Sequence, residues 1–308
     1  MRQGAKIIVT GASGYIGQHA LGPLLDHGCE VFALARRPRK SWPAGVRSLA
    51  LDLFDDAARR AAFETIKPDG LLHLAWYTEH GKFWEARENI VWLALSIRMV
   101  EELASIGTQR VVVAGTCAEY IWDGSICEEA TTPLKPKSLY GICKATLFRF
   151  LTEAAPKLNL DFAWGRIFLL YGDDETSSRL IPATAISLLR GEPAPCTHGR
   201  QIRDFLHVKD VARAFAELMV SPVSGAVNIG SGKPVSIASV VTEMAKRAGR
   251  PDLLKLGAVP ARDNDVPALF PDVRRLFDKV GFTPAIRLGE GLDQTLDWWR
   301  AHSARSAG

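Results

Sequence analysis

Tyr140 and Lys144 are four residues apart, a spacing that places two side chains on one face of a helix. A tyrosine is a poor acid or base at neutral pH, because its ordinary pKa is about 10. A neighbouring ammonium group favours the phenolate and brings this pKa into a useful range. The pair therefore predicts acid–base chemistry by Tyr140, although the same spacing is common by chance and also fits an exposed helix surface.

A hydroxyl group at Thr116 strengthens this interpretation. The run from Arg110 to Ala114 predicts a strand that ends in Gly115 and Thr116. In a parallel sheet, ligands meet the carboxyl ends of the strands. We therefore expect the Thr116 hydroxyl to face a cleft and to hydrogen bond a carbonyl or alcohol oxygen of a substrate.

A glycine-rich segment at residues 10–17, TGASGYIG, follows a predicted strand and opens a predicted helix, which is the context that a dinucleotide fingerprint requires. Gly11 can make the tight turn, Gly14 lets the backbone approach a pyrophosphate, and Gly17 allows close packing of helix on strand. The helix N-terminus then presents free N–H groups to the anion. We expect contacts to a bound dinucleotide from Gly11, Ser13, Gly14, Tyr15, Ile16 and Gly17; the alternative is a plain turn between strand and helix.

The end of the second predicted strand distinguishes two dinucleotides. An acidic residue about 20 positions after the glycines usually holds the ribose hydroxyls of NAD. Arg36 and Arg37 stand near that place here, and a guanidinium suits a 2′-phosphate. The sequence therefore favours NADP, with NAD still possible. Asp52, at the end of the third predicted strand, is expected to contact the adenine amino group or to cap the helix that follows.

The elements that position these residues alternate between short apolar strands and longer helices, a rhythm that predicts a parallel sheet. Predicted strands cover residues 7–10, 30–35, 46–51, 70–74, 110–114 and 161–167, and predicted helices lie near 15–27, 56–66, 82–106 and 138–155. The predicted fold is an α/β, Rossmann-type doubly wound parallel sheet with a smaller C-terminal substrate-binding lobe. We assign residues 1–168 to a dinucleotide-binding domain, with 204–232 returning to it, and 169–203 and 233–308 to the substrate-binding lobe.

Composition narrows the function classes. With 308 residues the chain can bury a sizeable core, and its five scattered cysteines form no Cys-x-x-Cys pair, which predicts no disulfide framework and no metal site. The net charge of +4 is too mild to predict nucleic-acid binding. No targeting segment is recognisable and no apolar run approaches the roughly 18–20 residues that span a bilayer, so we expect a cytoplasmic protein without a membrane partner.

Eight short motifs together resemble the extended short-chain dehydrogenases/reductases, specifically the NAD-dependent epimerase/dehydratase family that modifies sugar nucleotides. The resemblance covers nearly the whole chain. Its motifs are TGASGYIG at 10–17, DLFD at 52–55, HLAW at 73–76, GTCAEY at 115–120, YGICK at 140–144, RIFLLYG at 166–172, RDFLHVKDVA at 203–212 and NIGSG at 228–232.

The resemblance implies a role for each matched residue. Tyr140 is the implied acid/base, Lys144 holds the nicotinamide ribose and lowers the tyrosine pKa, and Thr116 steadies the reacting oxygen. Further cofactor contacts are implied for Leu53, Leu74 and Ala75. Arg203 and Arg262 are similar to two arginines that clamp the substrate diphosphate, although salt bridges to Asp204 or Asp265 would also account for them. The aromatic loop that begins at Trp76 is expected to line the cleft over the nicotinamide and to contact substrate.

Two departures from the family pattern narrow the reaction. Dehydratases of the family carry a Thr-Asp-Glu run, where this chain has Thr116, Cys117 and Ala118, so elimination of water is not expected. Leu169 replaces an asparagine that contacts the substrate in many relatives.

If NADP is the cofactor, the reaction that fits best is NADPH-dependent reduction of a nucleoside-diphosphate 4-keto-6-deoxysugar. The alternatives are an NAD-dependent sugar-nucleotide epimerase, an enzyme acting on a smaller ketone or aldehyde, and a non-catalytic NADP-sensing binding protein. The resemblance also implies a homodimer formed by the helices near 82–106 and 138–155.

Overall fold

The computed structural model describes residues 1–39, 41–261 and 265–303. Its strands are β1 Lys6–Thr10, β2 Glu30–Ala35, β3 Arg47–Ala50, β4 Gly70–His73, β5 Arg110–Thr116, β6 Ile126–Cys127, β7 Asp161–Ile167, β8 Leu169–Tyr171, β9 Ala194–Cys196, β10 Ile202–His207, β11 Gly225–Ile229, β12 Pro234–Ser236, β13 Leu254–Leu256 and β14 Ala268–Pro271. Its α-helices are α1 Gly17–Asp26, α2 Asp56–Ile66, α3 Glu88–Ser105, α4 Leu139–Ala154, α5 Leu180–Arg190, α6 Val208–Val220, α7 Ile237–Arg247 and α8 Leu288–Ser303.

Seven strands form the main sheet in the order β3-β2-β1-β4-β5-β7-β11, and each neighbouring pair is parallel. The predicted doubly wound sheet is therefore confirmed. Its central strands are buried on both faces, which is why they read as continuous apolar runs such as Val111 to Val113. Alternate side chains of β1 point to opposite faces of the sheet. Ile7 and Val9 pack with α1 and α6 on one face, while Ile8 packs with α2, α3 and α4 on the other.

The part of the molecule beyond the main sheet has its own strands and core. A second sheet runs β12-β10-β14-β6, with β8 beside β10, and a two-stranded sheet joins β13 to β9. Helices α5, α7 and α8 share a separate buried cluster that includes Leu188, Met244 and Leu292. Of the segment predicted to return to the first domain, β11 joins the main sheet and α6 packs on it, whereas β10 belongs to the second sheet. The domain boundaries stay a proposal.

One predicted helix begins later than expected. The region predicted as helical from residue 82 opens with a short 3-10 turn at Phe83–Glu85, and α3 starts only at Glu88. Asn89 explains the break, because its side-chain amide donates to the carbonyls of Phe83 and Ala86 and holds Ala86 in an extended conformation. None of the helices in the described part of the chain is long and apolar enough to cross a membrane.

Candidate active site

The glycine turn after β1 is closed by backbone contacts that leave no room for a side chain at Gly11 or Gly17. Gly11 has φ +68°, and a Cβ placed on it would lie 2.7 Å from the backbone nitrogen of Ala75. A Cβ on Gly17 would lie 2.1 Å from the carbonyl oxygen of Gly11. The first turn of α1 thus packs directly on the end of β1, as a phosphate-binding turn requires, and the exposed Gly14 leaves the backbone open to an anion.

Side chains around this turn differ in accessibility. Ser13 and Ile16 are half-buried beside Gly14. The Tyr15 hydroxyl is buried and has no hydrogen-bond partner among the described residues, and burial together with the carboxylates of Glu175 and Asp173 raises its pKa. Leu74 and Ala75 follow β4 directly and lie against the turn. All of these residues therefore lie at one edge of the sheet, and their contacts to a cofactor stay a prediction.

The two groups expected near adenosine lie at the same carboxyl edge of the sheet. Arg36 is exposed directly after β2, the neighbour of β1. Asp52 is exposed, and its carboxylate accepts the backbone N–H of Phe54 at 3.1 Å. The cap of α2 is Asp55, which accepts the N–H of Ala58, so Asp52 does not cap that helix. Leu53 is buried under the loop. Arg36 and Asp52 are both accessible to a nucleotide.

Thr116 and Tyr140 meet at the end of β5. The Ser138 hydroxyl accepts the N–H of Gly141 and starts α4, so that Tyr140 stands in its first turn. A hydrogen bond to the Thr116 side chain lowers the pKa of Tyr140, but burial raises it more, so the net shift is upward. The two residues expected to hold one reacting oxygen are therefore in contact, and burial favours the protonated form of the tyrosine.

Lys144 lies one helical turn further along α4 and is 3% exposed. Its ammonium donates to the carbonyl of Ala114 at 2.7 Å and lies 3.8 Å from the centroid of the Trp76 ring. Burial lowers the pKa of Lys144 to about 7, against the opposing effect of the Glu119 carboxylate. Its implied contact with the ribose stays a prediction. The expected fall in the pKa of Tyr140 is not found, because burial raises this pKa.

A buried ion pair beneath the site was missed from the sequence. Glu119 accepts the backbone N–H of Thr116 at 2.8 Å, the indole N–H of Trp164, and the guanidinium of Arg166 at 2.7 Å. Glu119 and Arg166 are both essentially inaccessible to solvent. Their signal in the sequence is Arg166 within the otherwise apolar run from Phe162 to Ile167, because a buried charge requires a buried partner. The pair fixes the backbone that carries Thr116.

Of the two arginines expected to bind the substrate diphosphate, the structure describes only Arg203. Arg203 is 6% exposed and forms an ion pair with Asp265, and it also donates to the carbonyl of Val266 at 3.0 Å. Its charge is close enough to the Cys117 thiol to act on the pKa of that group. The expected alternative, a salt bridge to Asp265, is thus present, and diphosphate binding by Arg203 stays a prediction. Arg262 lies outside the described residues.

Cys117 provides the site with neither an acid nor a nucleophile. Its thiol is buried, and burial raises its pKa to about 12. Leu169, at the position where an asparagine was expected, pairs in β8 with Phe205 of β10 and offers no polar group. Among the described residues, no group of three or more His, Cys, Asp or Glu side chains could hold a metal ion.

Comparison with known proteins matches residues 7–230 to the model of the NAD dependent epimerase/dehydratase family. The chain is 29% identical to dTDP-6-deoxy-L-talose 4-dehydrogenase (NAD(+)) of Aggregatibacter actinomycetemcomitans, over 86% of this chain and 98% of that protein. It is 26% identical to dTDP-4-dehydro-6-deoxy-D-allose reductase of a Streptomyces species, over 97% of each chain. The UDP-glucose 4-epimerase of Thermus thermophilus, solved with NAD, superposes with a TM-score of 0.82 at 26% identity, over 96% of this chain and 99% of that one.

Proposed function

The chain belongs to the NAD dependent epimerase/dehydratase family, and from that premise we propose that it is an NADPH-dependent reductase of a nucleoside-diphosphate 4-keto-6-deoxysugar. The family makes it an extended short-chain dehydrogenase/reductase. The observation that carries the proposal is the contact between Thr116 and Tyr140 beside the buried Lys144, at the sheet edge that also holds the glycine turn. Two relatives are named for oxidoreduction at position 4 of a dTDP-6-deoxyhexose, which supports this choice.

The residues at the glycine turn fit a dinucleotide. The backbone approach at Gly11 and Gly17 leaves the helix N-terminus as the group that faces the pyrophosphate. Arg36 is exposed beside the turn and takes part in none of the ion pairs between described residues. Its guanidinium would hold a 2′-phosphate. A bound reduced nicotinamide supplies the hydride that the carbonyl carbon accepts.

The protein's own groups then handle the oxygen and its proton. Thr116 donates a hydrogen bond to the carbonyl oxygen of the substrate and fixes its position. Tyr140 transfers its hydroxyl proton to this oxygen as the C–O double bond becomes an alcohol, which leaves a phenolate. In its charged form Lys144, one helical turn further along α4, would stabilise that phenolate. Arg203 would hold the diphosphate once it exchanges its contact with Asp265 for the phosphate oxygens.

An NAD-dependent sugar-nucleotide epimerase is the second candidate. It is supported by the match over nearly the whole chain to the NAD-bound UDP-glucose 4-epimerase of Thermus thermophilus. The same Thr116 and Tyr140 would serve it, since epimerisation at position 4 also passes through a ketone at that position. Elimination of water is disfavoured, because Cys117 and Ala118 provide no acid and the adjacent Glu119 is fully engaged beneath the site.

We also propose that the protein is a homodimer formed through α3 and α4. Four large apolar side chains on these helices are between 41% and 53% exposed: Ile90, Val91, Ile142 and Phe150. Two adjacent helices that both expose apolar side chains fit a self-complementary interface.

Oxidation of NADPH, followed by absorbance with a panel of nucleoside-diphosphate 4-keto-6-deoxysugars, tests the function directly. Stoichiometric oxidation supports the reductase, interconversion of sugar isomers without net oxidation identifies an epimerase, and silence across the panel refutes both. Tyr140→Phe should reduce kcat by about 10²- to 10⁴-fold and leave cofactor binding unchanged. Tyr171→Phe, which removes a hydroxyl that donates to the carbonyl of Leu288 in the core of α5, α7 and α8, is the matched control.

A further inference from the structure

Lys144 is a buried cation without a carboxylate partner. No described acidic side chain forms an ion pair with it, and its single described hydrogen bond goes to the carbonyl of Ala114. The ring of Trp76 covers it at 3.8 Å, and the ring of Trp164 lies at 5.9 Å. After the Ala114 carbonyl, the aromatic face of Trp76 is therefore the nearest described group that compensates the ammonium for its lost water.

The indole is held in the orientation that a cation requires. Its N–H donates to the Asn89 side-chain oxygen at 2.8 Å, which points the positive edge of the ring away from Lys144 and leaves the negative face toward it. Asn89 is fully buried and is itself fixed by the carbonyls of Phe83 and Ala86. The break before α3 thus serves to lock the Trp76 ring.

We propose that Trp76 is a positioning residue for the proposed reaction, whose indole face binds the Lys144 ammonium and keeps it charged and directed toward the site. The inference rests on the proposed function of Lys144. An ammonium has three N–H donors, and one is used by Ala114 while the indole covers another direction. The remaining donor is left for a ribose hydroxyl beside Tyr140.

The surroundings of Lys144 act on its charge in opposite directions, so the contribution of the Trp76 ring affects its protonation. Burial lowers the pKa of Lys144 to about 7. The titratable groups that interact with it are Glu119 after β5, whose carboxylate favours the charged form, and His73 at the end of β4. Tyr140 lies one turn earlier on its own helix. A cation over an indole face is stabilised most where water is excluded. Removal of the ring should lower the pKa further.

Direct titration of Lys144 tests this. In protein labelled with ¹³C at the lysine ε-carbons, Lys144→Arg identifies the resonance, and its shift is followed against pH. Trp76→Leu should lower the pKa of Lys144 by about one unit, and Trp76→Phe by less. Trp92→Leu is the matched control, because this ring packs on Trp76 at 6.3 Å but not on Lys144, and it should leave the pKa unchanged.

A series of fluorinated tryptophans at position 76 keeps the shape and the N–H while it weakens the π face, so it gives an answer even if Trp76→Leu does not fold. A stepwise fall in the pKa with fluorine number supports the proposal. An unchanged or raised pKa of Lys144 overturns it. The titration needs no substrate, so its result is independent of the turnover assay: loss of turnover on every substrate would refute the proposed reaction alone.

Discussion

Gly17 and Gly22 offer a controlled test of the glycine turn, because both lie in α1 but have different surroundings. A Cβ at Gly17 would lie 2.1 Å from the carbonyl oxygen of Gly11, 2.8 Å from its carbonyl carbon and 2.9 Å from the Cα of Ala12. All three atoms belong to the backbone, so no side-chain rotation can relieve the contact. A Cβ at Gly22 meets nothing within 4 Å. Gly17→Ala must therefore displace the turn, and Gly22→Ala must not.

The difference in free energy of unfolding between the two variants isolates that contact. Both gain helix propensity, by up to about 1 kcal/mol for a glycine replaced by alanine. Overpacking of a closed backbone contact costs about 1–3 kcal/mol. We expect Gly22→Ala to be more stable than the parent protein and Gly17→Ala to be less stable than Gly22→Ala by about 1–3 kcal/mol.

Urea denaturation and calorimetric titration with NADPH measure the two consequences. Displacement of the turn removes its N–H groups from the pyrophosphate, so Gly17→Ala should bind NADPH more than about tenfold more weakly, which corresponds to about 1.4 kcal/mol. Gly22→Ala should bind it as the parent protein does. If Gly17→Ala matched Gly22→Ala in both stability and affinity, the turn would not be the phosphate-binding element.

Three further predictions concern the cofactor, the pH dependence and the assembly. Arg36→Ala should raise the Kd for NADPH by about 10- to 100-fold, because it removes one set of charged hydrogen bonds, and it should leave the Kd for NADH unchanged. An equal rise in both Kd values would contradict recognition of NADP by Arg36. Burial lowers the pKa of His73 from 6.5 to about 3. Between these values the unfolded chain binds a proton that the folded chain does not, so stability falls as pH falls. Between pH 6.5 and 5, the free energy of unfolding measured in urea should fall by about 2 kcal/mol less in His73→Gln than in the parent protein. An equal fall in both proteins would exclude His73 as its source. Ile142→Glu should give monomers in sedimentation velocity, whereas a monomeric parent protein would rule out the dimer.

The elements of the main sheet could be predicted because their signals are local. Buried parallel strands are continuous apolar runs, and the glycine turn and the pair Tyr140 and Lys144 are defined by spacing alone. The partners of buried polar groups could not be predicted in this way. Arg166, for example, is 47 residues from Glu119. Such pairs form only when separate elements pack, so no periodicity in the sequence announces them.

The start of α3 was missed for a related reason. Residues 82–87 are compatible with a helix by composition, but the side chain of Asn89 satisfies the carbonyls of Phe83 and Ala86 and ends the pattern there. That competition is decided by one buried amide, Asn89, which also holds Trp76. A sequence pattern averaged over a helix does not resolve a single side chain of this kind.

The strand order has a consequence for synthesis of the chain on the ribosome. The outermost strand β11, Gly225–Ile229, pairs with β7, which ends at Ile167, so more than fifty residues are made between the two neighbours. Until β11 emerges, the nascent chain carries β7 with one row of backbone N–H and C=O groups unpaired. An open edge of this kind pairs readily with another chain. Pauses in translation between Ile167 and Ile229 should therefore be the interval in which the newborn protein is most prone to aggregate.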